Sequence, residues 1–298
     1  MIRFFTGIFT FILVLVNALF VIFVVTPLGL LRFIPIKPFQ IFILRINEKF
    51  GELYLFFNSR LQDLMHKSKF EVHGQEKLKK DIWQFTTINH LSWADIFVYL
   101  YFCNYRQSVP RIFMKSQLWW LPITWTANLG LAMPFVVRRS KEAIKANPKL
   151  AETDKNATRR ACKMYQIMPT NVGGFIEGTR IDKQKYLASK SKFKNLMPPK
   201  IGGMGYTLEV MPYIDHLTDV TIVYKSDKRS FWNFLCGDLN EASVTINTYE
   251  IPKELRGVDY ADNDEMRDKL KSFLESVWEV KDEIIENEKK KFGIESVF

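Results

Sequence analysis

The chain is short of the residues that redox, metal and nucleotide chemistry draw on. Its three cysteines, Cys103, Cys162 and Cys236, are far apart and form no CxxC pair. Neither a disulfide framework nor a zinc site is indicated, which suits a reducing compartment. There is no GxxxxGK[ST] phosphate loop, no GxSxG elbow and no HExxH pair, and Gly202-Gly203-Met204-Gly205 is a poor match to a dinucleotide loop. Acidic residues are outnumbered, with 42 Lys and Arg against 32 Asp and Glu and a net charge of +10. A surplus of that sign points to an anionic partner, either nucleic acid or an acidic membrane surface. Charge is missing altogether from Phe4 to Leu31.

That uncharged run favours the membrane. As a helix, Phe4 to Val25 is roughly 33 Å long, enough to cross the hydrocarbon core. The run is too long for a signal peptide and no small-residue cleavage site follows it. Pro27 and Gly29, then Pro35 and Pro38, are expected to break it. Arg3 precedes the run and Arg32, Lys37, Arg45 and Lys49 follow it, an asymmetry that places the body on the cytoplasmic side. A helix that enters the bilayer and returns at the proline breaks places it there too. Next, Phe39 to Leu64 reads as an amphipathic helix, with Phe39, Phe42, Ile43, Ile46, Phe50, Leu53, Phe57, Leu61 and Leu64 near helical spacing. It suits either the membrane interface or the protein core.

Beyond Gly74, short apolar runs alternate with helical stretches. Strands are expected at Trp83–Ile88, Arg111–Met114, Met133–Val137, Val172–Ile176, Val220–Tyr224 and Ser243–Tyr249. Helices are expected near Trp93–Phe102, Lys141–Tyr165, Gly203–Val210 and Asp262–Lys291. The pattern predicts an α/β domain with a mixed, largely parallel sheet flanked by helices. With 47% hydrophobic residues, 25 of them Phe, the core is ample. The division expected is 1–65 as membrane-anchoring helices and 66–298 as one domain.

Three stretches within that domain could carry chemistry. In Asn89-His90-Leu91-Ser92-Trp93-Ala94-Asp95, a strand-like run stops and a helix can start. Ser92 suits the N-cap, with Asp95 three residues on as a capping-box acid. In Phe175-Ile176-Glu177-Gly178-Thr179-Arg180 a strand again ends in polar residues. Arg180 offers a planar fork of donors for a phosphate, and Gly178 lets the backbone turn sharply. From Arg180 to Lys200 there are seven basic residues and one acid, Asp182, a basic lip suited to anionic headgroups. The third stretch, Phe135-Val136-Val137-Arg138-Arg139, ends in paired arginines, and Lys115 ends the strand-like run before it.

In this order the stretches resemble the lysophospholipid (1-acylglycerol-3-phosphate) acyltransferase family, which includes glycerol-3-phosphate acyltransferases. Asn89, His90 and Asp95 match NHxxxxD. Phe135 and Arg138 match the second motif, and Glu177, Gly178, Thr179 and Arg180 match EGTR in full. A fourth, apolar motif around a proline corresponds to Pro198-Pro199-Lys200 or to Val220–Tyr224. The likeness covers about Val72 to Tyr249 and is greatest to a bacterial inner-membrane branch. Val-Val-Arg-Arg stands where many members have an acid before the arginine.

The resemblance implies an O-acyltransferase glycerol-3-phosphate acyltransferase-like in fold, acting in phospholipid biosynthesis at the inner membrane. It would move a fatty acyl group from acyl-CoA or acyl carrier protein, without a cofactor or metal, to lysophosphatidic acid. His90 would be the general base and Asp95 its partner. Helix amides after Ser92 would assist an oxyanion. Lys115, Arg138, Glu177, Gly178, Thr179 and Arg180 would bind the acceptor. Glu177 would orient Arg180 or bind a glycerol hydroxyl. Another lysophospholipid or glycerol 3-phosphate is an alternative acceptor. A non-catalytic lipid-binding membrane protein is the alternative of another class, and retention of both His90 and Asp95 argues against it. No nucleic-acid motif accompanies the basic residues.

Overall fold

The computed structural model describes residues 1–112, 114–133, 135–136, 147, 156, 159, 162–260 and 263–298. Two long helices come first, α1 (Ile2–Leu31) and α2 (Lys37–His66). The rest alternates, with β1 (Lys69–His73), β2 (Gln84–Ile88), α3 (Asp95–Cys103), β3 (Arg111–Ile112), β4 (Met114–Lys115), α4 (Pro122–Leu131) and β5 (Phe135–Val136). Then follow β6 (Asn171–Gly174), α5 (Lys183–Ser189), α6 (Ile201–Val210), β7 (His216–Tyr224), α7 (Phe231–Leu235), β8 (Glu241–Glu250) and α8 (Asp264–Phe292).

The sheet runs β1-β8-β7-β2-β6-β3. All its ladders are parallel except β7–β8, so it is mixed and mostly parallel, as expected. Central strands of such a sheet are covered on both faces, and every residue of β2 is buried. Several are polar nonetheless. Thr86 donates to Asn171, Asn171 to the Tyr99 hydroxyl, Tyr99 to Gln107, and Gln107 back to Thr86. This closed ring meets the bonding demand of side chains removed from water.

The structure differs from the sequence expectations in several places. Strand β1, pairing with β8, was not anticipated, and neither were α4, α5 and α7. Pro27 and Gly29 do not end α1, which continues to Leu31 with Pro27 inside it. Gly29 instead permits a close crossing with α4, because a Cβ there would lie 2.4 Å from the Leu129 carbonyl oxygen. Nearby, Thr26 and Thr126 hydroxyls bond at 2.7 Å across the same crossing. Most of the helix expected over Lys141–Tyr165 lies outside the described residues.

Helices α1 and α2 form an antiparallel pair. Thr10 lies beside His66, Asn17 donates to the Tyr54 carbonyl, and Phe20 meets Phe50 edge to face. The stripe expected along α2 is not a buried face. Its buried side holds Asn47, Glu48, Glu52, Asn58, Ser59, Gln62 and His66 together with Ile43, Leu44 and Leu55, while Phe42, Phe57 and Leu64 are exposed. Along α1, Phe4, Phe5, Phe9, Phe11, Phe20 and Phe23 are likewise exposed. The helix is long and apolar enough to cross a membrane.

Candidate active site

Parallel pairing brings the carboxyl ends of β2, β6 and β7 to one rim of the sheet. Crevices outside those ends are the usual sites in open α/β sheets. At the end of β2, the Asn89 amide donates to the Ile222 carbonyl and accepts from the Ile222 N–H, both at 2.8 Å. Asn89 thereby ties the turn to β7 and sets the direction of the next residue.

His90 Nδ1 lies 2.9 Å from Asp95 Oδ2. The same oxygen accepts the N–H groups of Leu91 at 2.7 Å and Ser92 at 2.8 Å. The Tyr224 hydroxyl donates to the other carboxylate oxygen at 2.9 Å. Asp95 is wholly buried and the His90 side chain is 14% exposed. The imidazole stacks on Phe175, with ring centroids 3.9 Å apart and planes 18° from parallel. Ring and tautomer are thus both held, with Nδ1 engaged by the carboxylate and Nε2 left for chemistry.

Ser92 departs from its expected role. Helix α3 starts at Asp95 after Ala94, with no side-chain cap. The Ser92 hydroxyl accepts from the Ala94 N–H and donates to the Arg229 carbonyl at 2.6 Å. Only the acidic half of the capping box forms, with Asp95 reaching back to the Ser92 N–H. The amides of Leu91, Ser92 and Ala94 are therefore committed within the turn.

Glu177 engages the same turn. It is 1% exposed, accepting the His90 N–H on Oε1 at 2.9 Å and the Met197 N–H on Oε2 at 3.2 Å. Through these two bonds it ties the His90 turn to the segment around Met197. Burial pushes its carboxyl up to about 7, opposed by those two N–H groups and by the charge of Lys281. Gly178 has a φ of +81°, where a side chain is strained, and a Cβ there would come within 2.7 Å of Lys200 Nζ and push that flexible side chain aside. Thr179 and Arg180 are half-buried. The Arg180 guanidinium lies 4.8 Å from the centre of the exposed Trp93 ring, which carries it on the side of the turn facing out. The His90 carbonyl accepts the Ile181 N–H at 2.9 Å, binding the two turns together.

Lys115 ends β4 and pairs with Val136 of β5, which brings its backbone beside the run toward Arg138. The Lys115 side chain and all of Arg138 lie outside the described residues. Tyr224, Phe175 and Trp93 were missed as site residues, although the last two lie within the motif stretches. Tyr224 was readable only as the end of a strand. Among the described residues no group of three or more His, Cys, Asp or Glu could hold a metal ion.

A family model described as Acyltransferase matches residues 69–225. The chain belongs to the acyltransferase family. The turns carrying His90 and Glu177 lie within the matched span, while α1, α2 and α8 lie outside it. No curated protein sequence matches the chain significantly. Among solved structures, it is similar to the 1-acyl-sn-glycerophosphate (LPA) acyltransferase PlsC from Thermotoga maritima, with 17% identity, 95% of this chain and 98% of that chain covered, and a TM-score of 0.46.

Proposed function

We propose that the chain transfers a fatty acyl group from an acyl thioester, carried by coenzyme A or acyl carrier protein, to the hydroxyl of 1-acyl-sn-glycerol 3-phosphate, giving phosphatidate. The observation that carries this reading is a histidine–aspartate pair whose neighbouring serine is already bonded on both sides. With Ser92 buried and engaged, the hydroxyl that His90 activates comes from the substrate. A glycerol hydroxyl is a weak nucleophile at neutral pH, so a base near 3 Å is required.

Nε2 of His90 takes the hydroxyl proton as the oxygen attacks the thioester carbonyl. The tetrahedral intermediate then collapses, the carbon–sulfur bond breaks, and His90 returns the proton to the departing sulfur, which leaves as the free thiol. Asp95 stabilises the imidazolium in between. Arg180, with Arg138 and Lys115, holds the acceptor phosphate through charge-assisted bonds.

The outward apolar surface of α1, with Phe42, Phe57 and Leu64 of α2 beside Arg45, Lys49 and Arg60, supports residues 1–65 as a membrane anchor. Basic residues after α1 favour an inner-membrane location with the site on the cytoplasmic side. The test is purified protein in vesicles with a panel of lysophospholipids and glycerol 3-phosphate, offered both donors and read by mass spectrometry. Phosphatidate as the main product is expected. Acylation of glycerol 3-phosphate alone contradicts the reading.

A further inference from the structure

Tryptophan is unevenly placed in this chain. Of its seven tryptophans, Trp119, Trp120 and Trp125 fall in one short stretch, and they are 63%, 64% and 46% exposed. Indole rings carry more apolar surface than any other side chain, and left in water they contribute nothing to burial. The stretch is nevertheless well fastened. A turn of 3-10 helix over Ser116–Leu118 leads into it, and Pro122 starts α4. The Thr124 hydroxyl lies 2.7 Å from the Leu121 carbonyl oxygen and 2.8 Å from that of Leu118. The Trp125 indole N–H donates to the Trp119 carbonyl. A fixed backbone thus holds the rings outward.

Charge and attachment together indicate what covers them. No acidic residue occurs between Asp95 and Glu142, a stretch that holds Arg106, Arg111, Lys115, Arg138, Arg139 and Lys141. Nothing in it repels an anionic surface, and its basic residues attract one. Attachment is to α1, which among the described residues is the helix long and apolar enough to cross a membrane. The Thr26 and Thr126 hydroxyls bond at 2.7 Å, and a Cβ on Gly130 would come within 2.1 Å of Val25 Cγ1. The three tryptophans therefore ride on a helix clamped to the one that turns its phenylalanines outward. An indole, apolar in body with a single N–H donor, suits the layer between hydrocarbon and headgroups.

We propose that Trp119, Trp120 and Trp125 form a second membrane contact, inside the span matched to the acyltransferase family, which seats the start of α4 in the headgroup layer of an anionic phospholipid bilayer. This rests on the reading of α1 as a membrane helix and adds an orientation to it. A body attached along one helix can tilt about that helix's axis, and a contact at α4 removes that freedom. Lys115, just before the stretch, is thereby brought to the surface where a lipid acceptor resides.

The three natural cysteines are buried, so a cysteine introduced at an exposed position takes a fluorescent label selectively. Full-length Trp120→Cys, Phe23→Cys and Val280→Cys, each labelled, are bound to phosphatidylglycerol vesicles whose acyl chains carry nitroxides. Labels at positions 120 and 23 should lose most of their fluorescence, and the label at position 280, exposed on α8, should keep it. Quenching at 23 without quenching at 120 overturns the proposal and leaves the reading of α1 standing. Quenching at neither contradicts both. A label at 120 that responds to acyl carrier protein and not to vesicles overturns it in favour of a protein partner. In the unlabelled chain, Trp119→Ser with Trp120→Ser should lower vesicle partitioning at least about tenfold, with Tm unaltered. Unchanged partitioning likewise overturns the proposal. None of these readouts requires acyl transfer, so a chain without that activity fails the functional reading alone.

Discussion

The His90 rim of the sheet and the N-terminal helix pair treat polarity in opposite ways. At the rim, His90, Asp95, Glu177 and Tyr224 are drawn out of water and answered by donors or acceptors at 2.7–3.2 Å. Along α1 and α2, phenylalanines face outward, while Asn47, Glu48, Glu52 and Gln62 go inside. A buried polar group must be paired or it costs stability; the four rim residues meet that demand, whereas Asn47 Oδ1 and Gln62 Oε1 of α2 have no hydrogen-bond partner among the described residues. The proposed function asks a different medium of each: room for a polar acceptor at the rim, and an apolar surrounding for the exposed face of the helix pair. The two therefore should fail separately, one in turnover and the other in membrane binding.

The sharpest way to separate them is at Asp95. Asp95→Ala removes the acceptor of His90, of two backbone N–H groups and of Tyr224. Turnover should fall at least about a hundredfold, the scale of a positioned acid–base group, and thermal stability should drop. Binding to vesicles, read by flotation, should not change. Equal loss in both assays would mean that the two regions are not independent.

Phe9→Asp with Phe23→Asp attacks the other side. Each phenylalanine contributes about 2 kcal/mol when moved from water to an apolar medium. Vesicle partitioning should fall at least tenfold, with transfer to a short-chain, water-soluble acceptor retained. Unaltered partitioning would show that the exposed face of α1 does not meet lipid.

The first stretch was largely legible before any coordinates. His90 and Asp95 announce themselves by spacing, and EGTR by its residues, because chemistry constrains type and position together. The partners of Glu177 were not legible, because backbone N–H groups of distant residues leave no trace in a motif. The end of α1 was misplaced because Pro27 and Gly29 read locally as breakers, whereas the crossing with α4 decides. Tyr224 left no signal beyond its strand, since only the parallel register puts it beside Asp95.

Acidification gives a subtler contrast. The Glu177 carboxyl sits near 7, above its ordinary range. The stabilisation from its neutral form is full below about 4.5 and lost as pH rises through about 7, worth about 3 kcal/mol by linkage. Activity runs the other way, because the protonated carboxyl holds the His90 turn less firmly. Between about pH 5 and pH 8, Tm should gain from this group on the acid side while kcat declines there. In Glu177→Gln that component of the Tm profile should vanish.

A smaller effect is expected from Tyr224→Phe. It removes one donor to Asp95, and a bond to a charged group is worth roughly 1.5–3 kcal/mol. A drop in kcat on the order of tenfold, with KM unaltered, is expected from steady-state kinetics. A change confined to KM would place Tyr224 at the substrate instead.

The central claim is that His90 activates a hydroxyl of the acceptor and that no side chain of the protein carries the acyl group. Rapid-quench mass spectrometry of vesicle-bound protein, given acyl-CoA or acyl carrier protein and 1-acyl-sn-glycerol 3-phosphate, tests it directly. The wild-type chain should form phosphatidate with no acylated protein at any time. His90→Ala should form product at least about a hundredfold more slowly. An acylated residue that appears and decays on the way to product, or a His90→Ala variant with wild-type turnover, would contradict the account.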